Sequence, residues 1–166
     1  MRNKSGFTLI ELITVVAIVA ALTAVAIPNY IGWLPGHRLR SALDDINTGL
    51  QLAKLQAVRE NAGVVIRFDT ANESAVIFLD DGGATGTADD RQLNGDERVY
   101  KRILMPEGID IQDFPGTSTS TDNGPWFGFS GRGMPLNNQF GTVRVVNSRG
   151  TTGGVAVNSV GNPSFI

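Results

Sequence analysis

Twenty-one residues from Phe7 to Ile27, FTLIELITVVAIVAALTAVAI, carry a single charge, Glu11, and nothing else in this 166-residue chain constrains its fold as strongly. As a helix rising about 1.5 Å per residue, the run reaches about 30 Å, one hydrocarbon core of a bilayer. Arg2 and Lys4 precede it. The positive-inside rule keeps them cytoplasmic and sends the C-terminal bulk outward, into the periplasm of a cell with two membranes. Tyr30 and Trp33 follow, where an aromatic belt meets the interface. Three readings fit such a run. One is a secretory signal peptide, with Ala24-Val25-Ala26 as the A-x-A cleavage site. Another is an ordinary membrane anchor. The third is a short leader, MRNKSG, cut after Gly6 so that the apolar run begins the mature chain.

Glu11 favours the third. A carboxylate early in an apolar run costs a few kcal/mol on insertion scales, and neither a signal peptide nor a plain anchor has a use for it. Cleavage after Gly6 would free an α-amine on Phe7, which the carboxylate of a neighbouring subunit could pair with. The segment Gly6-Phe7-Thr8-Leu9-Ile10-Glu11-Leu12, with Pro28 closing the apolar run, resembles the class III leader junction of type IV pilins and type II secretion pseudopilins. That resemblance implies that a prepilin peptidase cuts between Gly6 and Phe7 and N-methylates Phe7, and that Glu11 serves assembly. It also implies, as partners, other pilin or pseudopilin subunits and an inner-membrane assembly platform. Glycine at the cut lets the backbone enter a narrow protease cleft.

Beyond the run, Pro28 and then Pro35-Gly36 are expected to interrupt the helix. Leu39, Leu43, Ile46, Leu50, Ala53 and Ala57 then recur at alternating steps of four and three, which predicts an amphipathic helix over about 37–60 lying on a sheet. Asn61 and Gly63 supply its stop. The period then changes. Val64–Phe68 and Ala75–Leu79 read as strands around a turn centred on Asn72. Val99–Met105, Ile109–Phe114, Trp126–Phe129, Thr142–Val146 and Gly154–Val157 follow, and Phe165-Ile166 is expected to pair at an edge; residues 116–125 are a polar loop. The expected fold is α+β and pilin-like: a long N-terminal transmembrane helix packed on an antiparallel β-sheet domain. Its parts are a leader over 1–6, a transmembrane and assembly helix over 7–30, a helix continuing into the globular domain over 31–62, and the β domain over 63–166.

Within the C-terminal third, Phe129-Ser130-Gly131-Arg132-Gly133-Met134-Pro135, Gly141-Thr142-Val143 and Val155–Pro163 resemble the H-type pseudopilin and FimT-like minor-pilin domain. The implied function is a minor pseudopilin of a type II secretion system, in a periplasmic filament that drives protein export. The alternatives are a FimT-like minor pilin of a type IV pilus, priming assembly or taking up DNA, and a secreted soluble binding domain.

Charge and composition narrow the chemistry. No cysteine excludes a disulfide scaffold, a thiolate metal site and a cysteine nucleophile; His37 is the only histidine, so a multi-His metal cluster is excluded too. No nucleophile elbow, phosphate loop or paired-carboxylate context occurs, and no enzyme is expected. Asp80, Asp81, Asp89, Asp90, Asp96 and Glu97 stand against one base, Arg91. Calcium is a minor reading of that 80–97 stretch, which lacks the D-x-[DN]-x-[DN]-G pattern, and a solvated loop is the main one. Arg132, Arg144 and Arg149 lie in an acid-free third. Three arginines are few for phosphate contacts, so they are expected to dock on an acidic neighbour rather than on DNA. Net charge of −2 gives no global pull toward polyanions.

Overall fold

The computed structural model describes residues 7–114 and 125–166. The leader with Gly6, and all but Pro125 of the polar loop, therefore lie outside the described residues. The chain forms two compact units, Met1–Pro35 and Gly36–Ile166.

Helix α1 runs Leu9–Glu60. In the first unit its apolar side chains are exposed from Leu9 to Trp33 and half-buried at Leu34 and Pro35, and no described residue before Leu39 is buried. Two of the three hydroxyls of the apolar run donate within the helix: Thr14 Oγ1 to the Ile10 carbonyl at 2.8 Å and Thr23 Oγ1 to that of Val19 at 2.6 Å. Such back-bonding lets a polar side chain sit in a hydrocarbon environment. The expected interruption at Pro28 and Pro35-Gly36 does not occur, because both prolines lie inside α1. Each proline removes only one N–H bond. Seven residues separate them, so both losses fall near one side of the helix and the rest of the ladder continues.

In the second unit α1 buries Leu39, Ala42, Ile46, Gly49, Leu50, Ala53 and Ala57. The stripe is close to the expected one, except that Ala42 is buried where Leu43 is only half-buried. The helix stops at Asn61, whose φ of 51° is left-handed, and the Ala62 N–H reaches back to the Ala57 carbonyl at 3.2 Å. This is a Schellman closure with asparagine in the glycine position.

Among the described residues eight strands follow: β1 Val64–Asp69, β2 Ser74–Leu79, β3 Val99–Leu104, β4 Ile109–Asp113, β5 Trp126–Phe129, β6 Gly141–Asn147, β7 Thr152–Val157 and β8 Pro163–Phe165. They build two antiparallel sheets rather than one. The first has the order β3-β2-β1-β5 and the second β4-β6-β7-β8. Phe165 pairs with Val155 at the edge of the second sheet. Period-two alternation puts Val64, Ile66, Phe68, Ile77, Phe127 and Phe129 of the first sheet into the same core as Val143, Val145, Val155 and Val157 of the second. The buried face of α1 completes that core, where a buried large side chain contributes about 1.5–3 kcal/mol. Close approach needs a bare backbone at Gly49, where a Cβ would stand 2.6 Å from Ile103 Cδ1 of the first sheet. It needs one again at Gly153 of the second sheet, where a Cβ would stand 2.7 Å from Leu43 Cδ1 of α1.

The β1–β2 turn ties the sheets together. Asp69 Oδ1 accepts from the Ala71 and Asn72 N–H groups, and the Asn72 side-chain amide holds the carboxyl below its ordinary range. Glu73, at φ 44°, accepts the Met105 N–H on its carbonyl and the Ile111 N–H of β4 on Oε2 at 2.6 Å.

Candidate assembly site

Glu11 lies in the first turn of α1. Its N–H donates to Thr8 Oγ1 at 3.3 Å, and the Leu12 N–H to the Thr8 carbonyl at 3.2 Å. Thr8-Leu9-Ile10-Glu11 therefore has the spacing of a capping box, with Thr8 at the N-cap and Glu11 at the third helical position. Sequence reasoning missed this cap by Thr8, although the T-x-x-E signature was visible. The carboxylate also sits at the positive end of the helix dipole. Phe7, four residues before Glu11, is 87% exposed. From there the helix presents Leu12, Ile13, Val16, Val19 and Leu22, each more than half exposed. An apolar surface of that extent marks a membrane or a protein partner. By length and composition this is a helix able to cross a membrane.

The acidic stretch 80–97 directs its carboxylates onto its own backbone. Glu97 accepts the Gly82 N–H on Oε1 at 2.9 Å and the Asn94 N–H on Oε2 at 3.0 Å. Asp96 accepts from Ala84, Asp90 from Gln92 and Asp81 from Gly83. Buried Asp80 accepts the Arg91 N–H on both oxygens, at 3.3 and 3.2 Å. Burial pushes its carboxyl up to about 6, opposed by the Arg91 N–H and helped by the charges of Glu97, Asp90 and Asp89. The sequence-level choice between a calcium loop and a solvated loop missed this arrangement, in which the acids serve as anchors for turns. Among the described residues no group of three acidic or histidine side chains is placed to hold a metal. Leu93 packs on a small second core of Val65, Phe78 and Trp126 on the outer face of the first sheet. The Arg91 guanidinium lies over the Trp126 ring at 5.6 Å.

The three arginines of the acid-free third stand on separate elements. Arg132 is in the loop after β5, Arg144 in the middle of β6 and Arg149 in the turn after β6; all three are exposed. His37 is exposed on α1.

Residues 42–161 match the family described as type II transport protein GspH, and residues 1–27 match the prokaryotic N-terminal methylation motif. The type IV wide pilus major component PilA4 of Thermus thermophilus is 64% identical over 79 residues, 48% of this chain and 56% of that protein. A fimbrial protein of Pseudomonas aeruginosa is 37% identical over 65 residues, 39% of this chain and 42% of that one. The chain thus spans about half the length of these relatives. Among solved structures, the type IV minor pilin FimU of P. aeruginosa superposes with a TM-score of 0.57 at 12% identity, covering 78% of this chain and 89% of that one. The minor pseudopilin EpsH of the Vibrio cholerae type 2 secretion system does so with 0.56 at 11% identity, covering 78% and 96%. At such identities the likeness establishes the fold, a pilin-like helix on antiparallel sheets.

Proposed function

The chain belongs to the family of the type II transport protein GspH, and from that premise we propose that it is a minor pseudopilin of a type II secretion system. Prepilin peptidase cuts between Gly6 and Phe7 and methylates the new N-terminus. The apolar part of α1 holds the subunit in the inner membrane with the globular unit in the periplasm. An assembly platform then draws it into a short filament that drives protein export. Glu11 pairs with the Phe7 amine of an adjoining subunit and sets the axial register. The subunit acts by binding and assembly, without catalysis. The observation that carries this reading is the presence on one chain of the family match over 42–161 and the methylation motif over 1–27.

A second reading, a minor pilin of a type IV pilus, draws on the pilus names of the relatives and on the FimU likeness. Mass spectrometry on the full-length protein purified from membranes with its partners tests both. The expected result is a mature chain that begins at N-methylated Phe7 and co-purifies with secretion subunits. Pilus subunits in their place would favour the second reading. A chain beginning at Ile27 would overturn both and leave a secreted soluble domain.

A further inference from the structure

The outer face of the first sheet carries a row of guanidinium groups that the assembly reading leaves unused. Strand register places Trp126 beside Arg67, Arg67 beside Val76 and Val76 beside Arg102, one residue from each of β5, β1, β2 and β3. Ile66, Phe68, Ile77 and Ile103 on the same strands point into the core, so the row points out. With strands about 4.8 Å apart, Arg67 and Arg102 stand about 10 Å apart across Val76. Arg91, over the Trp126 ring, extends the row by one more cation. Arg67 and Arg102 are in no ion pair among the described residues. The nearest acid along β1, Asp69, is engaged by the Ala71 and Asn72 N–H groups and the Asn72 amide. Between the arginines lies a groove of about 450 Å³, floored by Val76 and walled by Leu93 and Leu104.

We propose that this arginine-flanked groove docks an acidic peptide segment of an adjoining subunit. Guanidinium forks take carboxylates in a bidentate fashion, and the apolar floor and walls suit the stem of a Glu side chain. Three cations are too few for the six to ten phosphate contacts of a typical duplex-DNA site. The acid-rich 80–97 loop beside the groove, which supplies Leu93, repels an extended polyanion. A short segment with two or three carboxylates meets the row without crossing that loop.

The identification of the partner as an adjoining subunit rests on the proposed function; the groove's chemistry does not. The test uses the full-length chain in detergent micelles, titrated against fluorescein-labelled hexaglutamate and followed by anisotropy. Arg67→Gln with Arg102→Gln is expected to weaken binding by about tenfold, equivalent to about 1.4 kcal/mol, and Arg102→Gln alone by a smaller factor. Arg59→Gln, exposed in the last turn of α1, is the control and should change nothing. Displacement of the labelled peptide by excess unlabelled hexaglutamate would show that binding is saturable, and supports the proposal. Equal binding by wild type and the double variant would overturn it, as would tighter binding of a DNA duplex of matched charge. Peptide binding needs no processing or filament, so its failure is distinguishable from a mature N-terminus at Ile27.

Discussion

The position of Glu11 and its proposed role in assembly are two things that a single substitution to alanine would confuse. As the third helical residue it has the capping-box spacing from Thr8, which accepts its N–H; in the proposed assembly its carboxylate meets the Phe7 amine of a neighbour. At 4 Å and an effective dielectric near 20 such a pair gains about 4 kcal/mol, an upper bound before desolvation. An amine left buried without its partner is worse than the loss of both charges. Glutamine separates the two roles, since it keeps a capping acceptor at that position and discards the charge. Glu11→Gln and Glu11→Ala are both expected to be processed and inserted at wild-type levels, yet to co-purify with partner subunits at least about tenfold less well, a loss of about 1.4 kcal/mol. Glu11→Asp should be intermediate. Wild-type recovery of Glu11→Gln would assign the residue to helix initiation alone.

Among the elements, the 80–97 loop carries the pH dependence. Asp80 titrates at about 6 against an ordinary 3.8, so the folded chain holds that proton more tightly than the unfolded chain. Its contribution to stability is complete below pH 3.8 and is lost as pH rises through 6. At neutral pH the ionised carboxylate costs at most about 3 kcal/mol, taking about 1.36 kcal/mol per unit. Asp80→Asn keeps an oxygen for the Arg91 N–H and removes the charge. Chemical denaturation at pH 5 and pH 7.5 should therefore show the variant gaining on wild type by about 1–2 kcal/mol at the higher pH. Parallel pH profiles for the two proteins would refute burial of an ionised Asp80.

At the scale of the whole molecule, every buried side chain lies at or beyond Leu39, so residues 7–35 add nothing to the core among the described residues. Residues 36–166 expressed alone should unfold in one cooperative transition, with a stability in the ordinary range of about 5–15 kcal/mol. A broad, uncooperative melt would show that the first unit is needed for folding. The same division separates what could be read in advance from what could not. The long apolar run, the helix stop at Asn61 and most strand positions follow from the sequence alone, because composition, capping and period are local properties. Alternation says which side chains share a face, but not which strand lies alongside. That β1 pairs with distant β5, and that eight strands divide into two sheets, was settled by long-range packing against α1. Continuity of α1 through Pro28 and Pro35 depended on the surrounding helical bonds outweighing two missing donors. The acids of 80–97 looked like free ligands until the fold brought backbone N–H groups to them. The Arg67–Val76–Arg102 row was invisible for the same reason: its members sit on three strands, and only the register of the sheet makes them neighbours.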